Sequence, residues 1–231
     1  ARATADDTRD ASAFCLAHIS DLHVLDLHGT PPWRFLNKRI TGLGNLVGPR
    51  RGAHPAFVAD GLVDRLAALA PDHIAFTGDL TNLALPSEFR AGVALLARLG
   101  DGDALSAIPG NHDAYTGGAV RSARGERAIS AWAGGTTGRA DYPFVKAPRP
   151  WLRIYGLSSA IAAPPMIAWG QVGAAQLDRL QAAVAAEGPE VKVRIAMVHH
   201  NLHRRGPLAQ LTSSLRDGDA LAATLVRLGF D

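Results

Sequence analysis

What this sequence lacks narrows its function first. It holds a single cysteine, Cys15, so it has no internal disulfide and no thiolate metal cluster. No apolar run approaches the ~18 residues of a membrane span. No secretory h-region is visible, because residues 1–10 are polar and carry three Asp. The missing initial Met is consistent with a removed leader; the expectation is a cytoplasmic protein, held at a membrane at most peripherally. Lysine is scarce: Lys38, Lys146 and Lys192 are the only ones among 24 basic residues. Arginine forks match phosphate and carboxylate, although a compositional bias of the source gives the same count. Charged residues make up 19% and aromatics 6%, against 47% hydrophobic, which excludes a disordered chain or a coiled coil. A net charge of +3 is too small to single out nucleic acid as partner. A chain of 231 residues is long enough for one large domain with a real core.

Short apolar runs alternate with helix-period segments. Strands are expected at Phe14–Ile19, His73–Thr77, Leu105–Ile108, Trp151–Leu157 and Val191–Val198, with helices at Pro55–Ala70, Pro86–Leu99, Ala119–Trp132, Gln171–Glu187 and Arg216–Leu228. Pro143–Pro150 reads as a loop. The alternation argues for one layered α/β domain over 1–231 with a largely parallel or mixed sheet. His18 and Cys15, inside the first strand, read as buried core residues.

The informative pattern lies directly after each strand: Asp21-Leu22-His23, then Gly78-Asp79 with Asn82 close behind, then Gly110-Asn111-His112-Asp113, then His199-His200. The carboxyl ends of strands in an open α/β sheet share one edge, where ligands bind. Each pair alone is also compatible with ordinary turn chemistry. Together they bring carboxylate, imidazole and amide groups to one place. That donor set suits Mn, Fe, Zn or Ni.

These four motifs, in this order, resemble the calcineurin-like metallophosphoesterases. In wording they come closest to the bacterial cyclic-nucleotide-phosphodiesterase-like branch. The resemblance implies a layered β-sandwich core flanked by helices and two divalent cations that hydrolyse a phosphomonoester or phosphodiester through a bridging hydroxide. It places Asp21 and His23 on the first cation, Asp79 between both, and Asn111 and His199 on the second. His112 would stabilise or protonate the leaving oxygen, with Asp113 orienting it. Asp79 would use both its oxygens as the bridge. A paired site of this kind can clamp both oxygens of an in-line displacement.

The family's further Gly-His-x-His motif is absent from these 231 residues, which suggests a chain cut short at its C-terminus. It also leaves open a catalytically weak or inactive binding module on the same fold. Asn82, His200, His203 and Arg204 are candidate substrate contacts. From Leu27 to Ala59 there is no acidic residue, while Arg34, Lys38, Arg39, Arg50 and Arg51 are interleaved with Trp33, Phe35, Leu36 and Ile40. Residues 27–54 thus read as a basic arm or lid for a phosphorylated small-molecule or lipid substrate, an anionic membrane or, in a nuclease, nucleic acid; a solvated insertion is the plain alternative. Nothing in the sequence fixes the substrate or the oligomeric state.

Overall fold

The structure, a computed structural model, describes residues 13–40, 42, 56–135, 140–203, 206 and 211–231. Three parallel strands form the first sheet: β1 (Leu16–Ile19), β2 (His73–Phe76) and β3 (Leu105–Ala107), in the order β1-β2-β3. A second sheet holds β4 (Phe144–Arg149), antiparallel to β5 (Leu152–Gly156), and β6 (Val193–Met197), parallel to β5. Helices α1 (Ala56–Leu69) and α2 (Pro86–Ala97) belong with the first sheet; α5 (Ala174–Ala185) and α6 (Gly218–Arg227) belong with the second. The expected long helix over Ala119–Trp132 is instead two short ones, α3 (Gly117–Arg121) and α4 (Arg124–Ala128), separated by Ala123 at φ 47°.

Strand alternation produces the layers. Ile74 and Phe76 of β2 pack with Val63 and Leu66 of α1 and Phe89 and Leu96 of α2. Ala75, between them, faces the other way and joins Ile154, Leu152 and Met197 of the second sheet. Tyr155 then faces Leu180 of α5 and Leu221 and Leu225 of α6. The order is helices, sheet, sheet, helices, the β-sandwich flanked by helices that the family resemblance implied.

Three expectations are corrected. Pro143–Pro150 is largely strand β4, not a loop. β4 is an edge strand whose register shifts between Lys146 and Arg149, and an edge or a bulge is where a strand tolerates proline. Cys15 and His18 are exposed rather than buried. β1 is itself an edge strand, with Leu16 packed toward the second sheet and Ile19 toward the helices, while His18 Nε2 meets Thr77 Oγ1 at 2.7 Å. Of the basic arm, residues 41 and 43–54 lie outside the described residues.

Candidate metal centre

The loops after β1 and β2 are strapped together by main-chain bonds that extend the strand ladder. Asp21 N–H donates to Gly78 O, His23 N–H to Asp79 O and Val24 N–H to Leu80 O, each at 2.9 Å. In this ladder Asp21, His23 and Asp79 all stand in the left-handed region, at φ 59°, 46° and 56°. Asp and His accept that conformation better than most residues, yet it costs free energy, and such strain concentrates at functional sites. Gly78 and Gly110 permit the approach of the third loop. A Cβ on Gly78 would strike the backbone of Gly110, and one on Gly110 would strike the Asp79 backbone and carboxylate.

Asp79 is 3% exposed. Its Oδ1 accepts the His112 N–H at 2.8 Å. Its Oδ2 lies 3.6 Å from His23 Nε2 and 3.5 Å from His199 Nε2. Oδ2 therefore faces both imidazoles, while Oδ1 takes the backbone bond. On one side Asp21 Oδ1 is 3.4 Å from His23 Nε2. On the other, Asn111 Oδ1 is 3.1 Å from His199 Nε2. His199 Nδ1 sits 2.8 Å from the Thr77 carbonyl. A carbonyl only accepts, so Nδ1 carries the proton and Nε2 presents a lone pair. In the neutral ring that lone pair, Asn111 Oδ1 and Asp79 Oδ2 are three acceptors brought together. A cation satisfies such a set, so the donor chemistry fits the implied metals. Ligand atoms of His23, Asp79 and His112 also lie within 4.8 Å of one another.

The electrostatics are those of a carboxylate–imidazole cluster. The bond to His23 holds Asp21 below the usual carboxylate range. Burial works to lower the His23 pKa, but the carboxylates of Asp21 and Asp79 outweigh it and leave His23 above its ordinary value. Burial pushes His112 down.

His112 Nδ1 is 2.7 Å from the Asn82 carbonyl, and the Asn82 side chain donates to His23 O at 3.1 Å. Asp113 does not orient His112. Its carboxylate accepts from Gly110 N (2.9 Å), Leu80 N (3.2 Å), Thr81 N and Thr81 Oγ1 (both 2.9 Å). Burial and the Asp79 charge push its pKa up, but four donors face it, so it tethers the third loop to the second as an acceptor.

Asn82 and His200, candidate substrate contacts by sequence, are both buried, and His200 lines the cleft. Asn82 lies beneath His23 and His112. His200 Nδ1 meets Ser159 Oγ at 2.7 Å, its ring packs against Gly170, and burial lowers its pKa to about 4. His203 is exposed and lines the cleft; Arg204 lies outside the described residues. The cleft is about 520 Å³ and open, and Asp21, Asp79, Asn111 and His199 lie along it.

The family model for calcineurin-like phosphoesterases matches residues 16–231. The chain belongs to the calcineurin-like phosphoesterase family. No curated protein matches it in sequence. For this phosphoesterase, sequence reasoning missed the parts that act through the main chain: the Thr77 and Asn82 carbonyls that set two imidazoles, and the Gly78–Gly110 contact. Main-chain atoms leave no residue-type signature, although glycine directly before Asp79 and Asn111 was a usable signal.

Proposed function

We propose that the protein is a metal-dependent phosphoester hydrolase that binds two divalent cations. Asp21 and His23 would hold one, Asn111 and His199 the other, and Asp79 Oδ2 would lie between them. The observation that supports this reading is that His23 Nε2 and His199 Nε2 meet at Asp79 Oδ2, with Asn111 Oδ1 beside His199, from four loops far apart in sequence. When bound, the cations would supply Lewis acidity and a water acidified toward neutral pH.

The remaining chemistry falls to the chain. Asn111 contributes a neutral ligand, which limits the negative charge that an incoming phosphate meets. His112 has its Nδ1 proton held by Asn82, so Nε2 faces the reaction. Neutral, it accepts; only as imidazolium does it donate a proton to a leaving oxygen. His203, on the exposed wall of the cleft, is placed to meet the rest of the substrate.

The test is Mn²⁺-dependent release of nitrophenol from bis(p-nitrophenyl) phosphate, with calorimetry of Mn²⁺ binding beside it. The parent should turn over and bind metal, and Asp79→Ala should do neither. A parent that binds no divalent cation and hydrolyses no phosphoester sinks the proposal.

A further inference from the structure

The turn after Asn82 carries more side-chain bonds than its length explains. Leu83, Ala84 and Leu85 are buried, and Ala84 stands in the left-handed region at φ 52°. That conformation is costly for alanine and persists only where surrounding groups over-determine the backbone. Glu88, Arg39 and Arg124 do so. Glu88, fully buried, accepts Leu83 N–H at 2.9 Å and Leu85 N–H at 3.0 Å, both on Oε2. Arg39, also buried, donates through Nε to Leu83 O (2.7 Å) and through Nη2 to Ala84 O (3.0 Å). Arg124 Nη1 donates to the same Ala84 carbonyl at 2.9 Å.

The Glu88 bond to Leu85 is an ordinary capping box at the start of α2. The others go further. The bond to Leu83 reaches past the cap, and the arginines come from elsewhere in the chain, Arg39 from 44 residues before Leu83. Arg39 Nη2 also lies 3.5 Å from Thr116 Oγ1, the N-cap of α3, shortly after His112. Withdrawing two guanidinium groups from water to hold one short turn costs free energy.

What the turn holds is one carbonyl. Asn82 N–H donates to Val24 O at 3.2 Å, and its side chain to His23 O at 3.1 Å. These bonds fix the residue, but the direction of its carbonyl is set by the next peptide. That peptide is planar and trans, so Asn82 C=O and Leu83 N–H point to opposite sides. On one side Leu83 N–H meets Glu88; on the other the Asn82 carbonyl meets His112 Nδ1 at 2.7 Å. Glu88 and the His112 ring are joined across a single peptide group, and Arg39 holds the two peptides that follow.

We infer that Glu88 and Arg39 are positioning residues for His112. They fix the Asn82 carbonyl, which keeps a proton on Nδ1 and leaves Nε2 to face the leaving oxygen. As the P–O bond breaks, the imidazolium gives its Nε2 proton to that oxygen and ends neutral, with Nδ1 still protonated. This last step rests on the hydrolase reading; the clamp itself does not.

The test compares Glu88→Leu, Glu88→Gln and Arg39→Met with the parent, with circular dichroism melts as the check on folding. Nitrogen NMR of labelled imidazole in the metal-free protein reads the His112 tautomer. The parent and Glu88→Gln, which keeps an acceptor for both N–H groups, should hold the Nδ1–H form. Glu88→Leu and Arg39→Met should mix the two tautomers. Mn²⁺-dependent hydrolysis of methyl phenyl phosphate is then set against that of methyl p-nitrophenyl phosphate, because phenolate needs a proton to leave and nitrophenolate does not. In Glu88→Leu and Arg39→Met, kcat for the phenyl ester should fall roughly tenfold or more. The nitrophenyl ester and Mn²⁺ affinity in calorimetry should change little, and Glu88→Gln should rescue most of the loss. Equal losses on the two esters, losses that follow Mn²⁺ affinity, or an unmoved tautomer in a folded variant overturn the inference. If Arg39→Met does not fold, Arg39→Lys, which bonds only one of the two carbonyls at a time, takes its place. A parent that hydrolyses neither ester, with the tautomer shift present in the variants, overturns the hydrolase reading and supports the clamp.

Discussion

Asp79 sits where one oxygen serves two sides, and that decides how it fails. Asp79→Asn can keep the bond from the His112 N–H only with its NH2 at the Oδ2 position, and so loses both the charge and the acceptor there. We expect Mn²⁺ affinity to fall about a hundredfold, with hydrolysis lost alongside, as checked by calorimetry and nitrophenol release. Asp113 fails differently. Asp113→Asn turns one acceptor into a donor facing donors, whichever way the amide lies. A loss of about 2–4 kcal/mol is expected, read as a lower Tm in a metal-free thermal melt. A catalytic role alone would leave that melt unmoved. At this scale the sequence displayed the side chains that converge. Asp21, His23, Asp79, Asn111 and His199 were legible because their residue types and their places after strands carry chemistry. The real partners of Asp113, Asn82 and His200 were not, since each depends on a neighbour distant in the chain or on a main-chain atom.

Among elements, α2 is coupled to the centre through a glycine. A Cβ on Gly92 would meet Leu80 Cγ at 2.5 Å, and Leu80 is fully buried directly after Asp79. In an exposed helix, Gly→Ala gains about 1 kcal/mol. Here overpacking, at about 1–3 kcal/mol, outweighs that gain. Gly92→Ala should therefore lower Tm and also weaken Mn²⁺ binding, whereas Gly61→Ala on α1, with nothing within 4 Å, should stabilise. Strands β1, β2, β3, β5 and β6 and helices α1, α2, α5 and α6 were legible from hydrophobic period, to within a few residues of their observed ends. β4 was not, because Pro143, Pro148 and Pro150 outweighed its alternating burial. The helix over Ala119–Trp132 split for the opposite reason, since Ala123 carries no breaker signal yet stands in the left-handed region.

For the molecule as a whole, Glu88 links stability to pH. Its carboxylate is fully buried, accepts Leu83 N at 2.9 Å and Leu85 N at 3.0 Å, and burial pushes its pKa up to about 7 from 4.5. Between those values the folded chain keeps a proton that the unfolded chain has released. Stability should fall as pH rises through that window, by up to about 3 kcal/mol. Glu88→Gln should flatten that decline; denaturant melts from pH 4 to 8, read as the difference from the parent, check it. The left-handed ladder of Asp21, His23 and Asp79 has its own consequence. Its hydrogen bonds run main chain to main chain and owe nothing to a bound ion. Chelation should leave amide exchange across residues 77–81 slow, and reloading should proceed without refolding. This would be a scaffold that outlasts its cargo, unlike small zinc modules that unravel when stripped.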